Sequence, residues 1–215
     1  MSTRGALTLV GNEAVRTMYN HADSYPSGLG ADALMWLRAV LAHEEVGEEV
    51  ARQTIARLES VPDREPTADD AALLAEFHDP DVSTGKDWYS LLRRTQGDIS
   101  ATLRAGYYEP AEDFPLDSLF CEWAYVVDFD TRVFEVYEGV QKTPPTAGRW
   151  VGQTGFEDSA GYYPVQRVAS YSFDDLPVTL ASFEADGMKA VTASEAAAAI
   201  GAGTGAPEGW TVIES

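Results

Sequence analysis

The chain is poor in cysteine, histidine and basic residues, and it has no long apolar run. One cysteine in 215 residues, Cys121, excludes an internal disulfide framework and any multi-cysteine metal cluster. It stands just before an apolar, strand-like stretch, which predicts a buried and inert thiol. The three histidines, His21, His43 and His78, fall at none of the two-histidine motif spacings. No stretch approaches the roughly 18 apolar residues that span a bilayer, and residues 1–11 lack the basic-then-apolar build of a signal peptide. These absences predict a cytoplasmic chain that avoids membranes. Lys and Arg number 15 against 35 Asp and Glu, giving a formal charge of −20 and a pI near 4.3. Such a surface repels phosphate backbones, so direct nucleic-acid binding is not expected. It draws a basic partner at long range, and it also keeps the chain dispersed; composition alone fits both roles.

What is present reads as a globular α+β chain. With 45% hydrophobic and 23% charged residues the composition is ordinary for a folded protein. Residues 6–10 (ALTLV) and 14–21 (AVRTMYNH) form a predicted hairpin around Gly11-Asn12-Glu13. Helices are predicted over 29–43, 48–61, 67–78 and 86–106, each from apolar residues at helical spacing. Thr67 is the expected N-cap of the third and Gly106 the expected stop of the fourth. Residues 121–139 (CEWAYVVDFDTRVFEVYEG) are a second hairpin turning near 128–131, and 162–173 supply another strand. Between them, residues 139–161 make a long Gly- and Pro-bearing connection of the kind that is often functional. The fold expectation is therefore an antiparallel sheet from the N-terminal hairpin and the later strands, with a central block of about four helices on one face. A single domain over 1–200 is expected, followed by a flexible tail over 201–215.

The start MSTRGAL, the segment YNHADSYPSGLG (Tyr19–Gly30) and the hairpin WAYVVDFDTRVFEVYEG resemble a family of uncharacterised proteins from actinobacterial phages and their hosts. Members of that family begin Met-Gly-Thr-Arg or similar; this chain has Ser2 in place of the usual glycine. The resemblance carries no activity across. It implies a phage accessory protein made in an actinobacterial cytoplasm.

Tyr19–Gly30 is the densest cluster of chemistry-bearing residues. Tyr19, His21, Asp23, Tyr25, Gly28 and Gly30 are the candidate binding residues. His21 and Asp23 form a conceivable acid/base or metal pair, with His43 or His78 as a third ligand. An Asx-type corner explains the same residues without a ligand, and it is the first reading. Gly28-Leu29-Gly30-Ala31-Asp32-Ala33 formally fits a dinucleotide fingerprint, but it follows an antiparallel hairpin rather than opening a βαβ unit. Removal of Met1 would expose Ser2 as an N-terminal nucleophile, with Thr3 as the trimmed variant and Arg4, His21 and Asp23 nearby. The acidic pairs Glu44-Glu45, Glu48-Glu49, Asp69-Asp70 and Asp174-Asp175 raise the alternative of a DNA mimic, although most sit at predicted helix starts, which favour acids. Tyr107-Tyr108, Tyr162-Tyr163, Trp150 and Trp210 fall in or beside loops and fit either an exposed binding surface or burial over the sheet. No cofactor or metal is expected. The preferred reading is a non-enzymatic acidic binder of a host protein, basic or nucleic-acid-associated; the alternative is a small hydrolase or ligand-binding enzyme at the His21–Asp23 corner.

Overall fold

The computed structural model describes residues 3–82, 85–155 and 161–180. The tail expected over 201–215, with Trp210, lies outside these residues, as does Ser2.

The N-terminal hairpin pairs β1 (Gly5–Gly11) with β2 (Ala14–Asn20) across a two-residue turn. Asn12 and Glu13 both take left-handed backbone, with φ of 51° and 66°. This mirror-image turn matches the natural twist of paired strands. Its exposed amides do not go unpaired: Asn12 and Glu13 donate to the two carboxylate oxygens of Asp130, at 2.9 and 2.7 Å. Asp130 belongs to the second hairpin, β5 (Trp123–Asp128) and β6 (Val133–Glu138), so one acid joins the two turns.

A short ribbon pairs β3 (Glu59–Ser60) with β4 (Tyr107–Tyr108), and the main sheet runs β2-β1-β5-β6-β7, with β7 at Gln166–Ser172. All pairs of the main sheet are antiparallel except β1 and β5, which are parallel. The expected sheet is thus antiparallel with one exception. Its cause is the helical crossover between β1's hairpin and β5, which returns the chain to β1's open edge in the starting direction. Side chains alternate across the sheet. Leu7, Leu9, Tyr125, Val127, Phe134 and Val136 face a core closed by Leu34 and Leu37 of α1 (Ala31–Leu41) and Ile55 of α2 (Glu44–Arg57).

The other helices of the central block build a core of their own. α3 (Ala68–Leu73), α4 (Trp88–Leu91) and part of α5 (Ile99–Ala105) close a separate cluster around Leu74, Phe77, Trp88, Leu91 and Leu92. Thr67 does cap α3, in a reciprocal box with Asp70, and Gly106 ends α5 with φ 71°. The predicted helix over 86–106 is broken. Gln96 is extended, Gly97 takes φ 78°, and Asp98 starts a new helix by accepting the Ala101 amide at 2.9 Å. That break turns residues 93–98 against the end of β2.

The opposite sheet face carries Ala6, Val10, Ala124, Val126 and Tyr137, covered by Cys121, Trp150 and Val165. Two carboxylates, Asp128 and Glu135, are buried here as well. Arg149 spans both, and Arg167 bonds the second Glu135 oxygen at 2.6 Å. These bonds clamp part of the 139–161 connection to the sheet, together with the Arg149 amide donating to the Tyr137 hydroxyl at 3.1 Å. No helix among the described residues is long and apolar enough to cross a membrane.

Candidate functional site at the corner between β2 and α1

After β2 the chain reverses in a few residues. Asp23 is left-handed at φ 55°, and Tyr25, preceding Pro26, is extended. A wide turn over Pro26–Gly30 then feeds α1. The glycines serve the chain's own packing. A Cβ on Gly28 would stand 2.1 Å from the Asp23 carbonyl oxygen, and one on Gly30 2.7 Å from the Tyr125 ring. That close approach accounts for both glycines of the formal dinucleotide fingerprint. Asn20 Nδ2 donates to the Ala22 carbonyl and to Ser24 Oγ at 2.5 and 2.8 Å, and the Tyr125 hydroxyl donates to the Ser24 carbonyl at 3.0 Å. Hydrogen bonds from Asn20 and Tyr125 thus hold the corner together.

The candidate residues divide between its two sides. The His21 Nδ1 and Tyr19 hydroxyl lie 3.0 Å apart, and the rings of Tyr89 and Phe114 pack edge-on against His21 and Tyr19 respectively. Partial burial, then the nearby Tyr89, raises the Tyr19 pKa against the pull of Arg4 and Arg93. Asp23 accepts from the Tyr25 hydroxyl at 2.6 Å. No bond joins His21 to Asp23 among the contacts described. His43 lies between α1 and α2, and His78 stands against Gly85. Among the described residues no three His, Cys, Asp or Glu side chains converge to hold a metal ion.

Asp23 and Gly28 instead share a groove of about 380 Å³ with residues the sequence reading missed: Asp32 of α1, and Arg93, Gln96 and Asp98 from the broken helix. Asp32 reaches the surface, yet the groove wall shields part of its carboxyl from water. This partial burial, then the charge of Asp98, raises its pKa. Arg93 donates to Gln96 and lies over the Tyr89 ring at 5.7 Å. None of Asp23, Asp32 or Asp98 is in an ion pair among the described residues. The signal for this half of the groove was the dipeptide Gly97-Asp98, a helix stop followed by an N-cap.

Other candidate features are absorbed by local structure. Glu48 and Asp174 pair with Arg132, and Asp70 with Arg64. Arg4 lies over the Phe120 ring at 4.7 Å. Tyr108 and Trp150 are buried, Lys142 sits over Tyr162, and Tyr163 is exposed. Cys121 is fully buried, and burial drives its thiol pKa far above the ordinary range.

Compared with protein-family models, curated proteins and solved structures, the chain shows no match in any of the three.

Proposed function

We propose that the protein is a non-catalytic binder of a basic host protein, acting in the cytoplasm of an actinobacterial cell, and that the corner groove receives a Lys or Arg side chain of that partner. The observation that carries this reading is the meeting of Asp23, Asp32 and Asp98 in one groove with Arg93 as the only lining cation among the described residues. Partial burial and the charge of Asp98 both work against the charged form of Asp32, and an incoming cation relieves that. The formal charge of −20 would speed the encounter. The resemblance to phage proteins supplies the host as the source of the partner.

The test is a pull-down from actinobacterial lysate at low and high salt with the triple variant Asp23→Asn/Asp32→Asn/Asp98→Asn. Asparagine keeps the left-handed preference at position 23 and the capping oxygen at position 98. A control, Asp63→Asn/Glu65→Gln/Asp69→Asn, removes the same charge from exposed positions elsewhere. A host protein bound by wild type and control but not by the triple variant supports the reading. Equal capture by all three removes it.

A further inference from the structure

Beside the corner groove lies an apolar one of about 380 Å³, lined by Trp36 and Val40 of α1, Val46, Val50 and Ala51 of α2, and Leu103 of α5. Val46 is 70% exposed and Val50 55%, an unusual exposure for two valines on one helix face. From Val46 to Thr54 the α2 wall rises about 12 Å, or two turns of a helix laid against it. The two grooves draw on two of the same elements, α1 and α5 with its cap. Asp32 precedes Trp36 by one turn of α1, and Asp98 caps the helix that carries Leu103. The apolar groove's lining holds no carboxylate among the described residues. A ligand on this track meets apolar surface along its length and the carboxylates of Asp32 and Asp98 beyond its end.

Resting on the reading of the corner groove as a cation site, we propose that the partner segment is a cationic amphipathic helix. Its apolar side chains, at i, i+4 and i+7, lie on Trp36, Val40, Val46, Val50 and Leu103, and a flanking Lys or Arg enters the Asp23–Asp32–Asp98 groove. The spacing of anchors over two turns is that of helix-in-groove recognition, and charge complementarity fixes which end of the helix faces the corner.

The probe is a synthetic Leu/Lys peptide with leucines at amphipathic-helix spacing, alongside a peptide of the same composition in scrambled order. Binding is followed by backbone amide NMR at physiological salt, on the full chain. The variant Val46→Gln/Val50→Gln removes apolar surface without adding charge, at positions exposed enough to leave folding intact; a thermal melt confirms this. The patterned peptide is expected to bind at least about tenfold more tightly than the scrambled one, to shift α1, α2 and α5 amides, and to lose about that factor on the valine variant. Equal affinity for the two peptides, or indifference to the valine changes, overturns the inference. So does concentration-dependent dimerisation that the valine variant abolishes, which would make a second copy the occupant. Loss on the valine variant with no change on Asp23→Asn/Asp32→Asn/Asp98→Asn keeps the apolar groove and removes the cation site instead.

Discussion

Arg149 offers the sharpest test of how the second sheet face is held. Its guanidinium bonds Asp128 at 2.6 Å and also Glu135, and both carboxyl side chains are only 4% exposed. Removing one partner of a buried pair costs about 3–5 kcal/mol, because the remaining charge stays desolvated. Here the loss is softened. Glu135 keeps Arg167, Asp128 keeps the Asp130 and Thr131 amides at 2.9 Å, and Arg149 itself is 32% exposed. For Arg149→Met about 2–3 kcal/mol remains, a fall in Tm of roughly 5–10 °C for a domain of this size. The pH dependence carries the diagnosis. Burial alone would raise the Asp128 pKa, but the Thr131 amide and Arg149 outweigh it and hold it below the ordinary value. This contribution is present above about pH 4 and fades as pH falls through the lowered folded-state value. The variant, whose Asp128 has lost that pull, has less to lose on acidification, so the gap to wild type narrows in acid. Adding Asp128→Asn to Arg149→Met is expected to recover part of the loss, since the one carboxylate left without a cationic partner loses its charge while an amide oxygen can still accept from the Asp130 and Thr131 amides. Urea melts at neutral and acidic pH measure all of this. A variant within about 0.5 kcal/mol of wild type, or a gap that does not change with pH, refutes the reasoning.

Three further outcomes follow from local geometry. Glu13→Gly, which makes the turn Asn-Gly and relieves left-handed backbone at a side-chain-bearing residue while keeping the amide bond to Asp130, stabilises by about 0.5–1 kcal/mol in a urea melt; no gain would mean that the turn stores no strain at Glu13. Gly28→Ala sets a Cβ against the Asp23 carbonyl and costs about 2 kcal/mol or more, with the Asp23 and Asp32 amide signals displaced; a wild-type melt would show the corner to be soft. Cys121 stays unreactive toward a disulfide reagent in the native chain and reacts fully in urea; fast native labelling would place the thiol at the surface.

Local residue pattern was enough to read most of the elements, and in a few places their ends. The hairpins around Asn12-Glu13 and 128–131, the Thr67 cap and the Gly106 stop are short-range matters, set by turn chemistry and hydrogen bonds within a few residues. The α+β class follows from the same evidence of period, two in the strands and 3.6 in the helices. The break at Gly97-Asp98 was written just as locally, but an apolar stripe running through it from Trp88 to Leu103 masked it. Tertiary structure decided the rest. The parallel pairing of β1 with β5 depends on where a crossover of about a hundred residues returns, and no local periodicity encodes a direction. The pairing of Arg149 with Asp128 and Glu135, and the meeting of Asp23 and Asp32 with Asp98, join residues distant in sequence. Sequence alone supplied the charges and the corner's tight turn. Which carboxylates were neutralised in pairs, and which were left lining a groove, depended on long-range packing, because electrostatic energy depends on distance and burial rather than order along the chain.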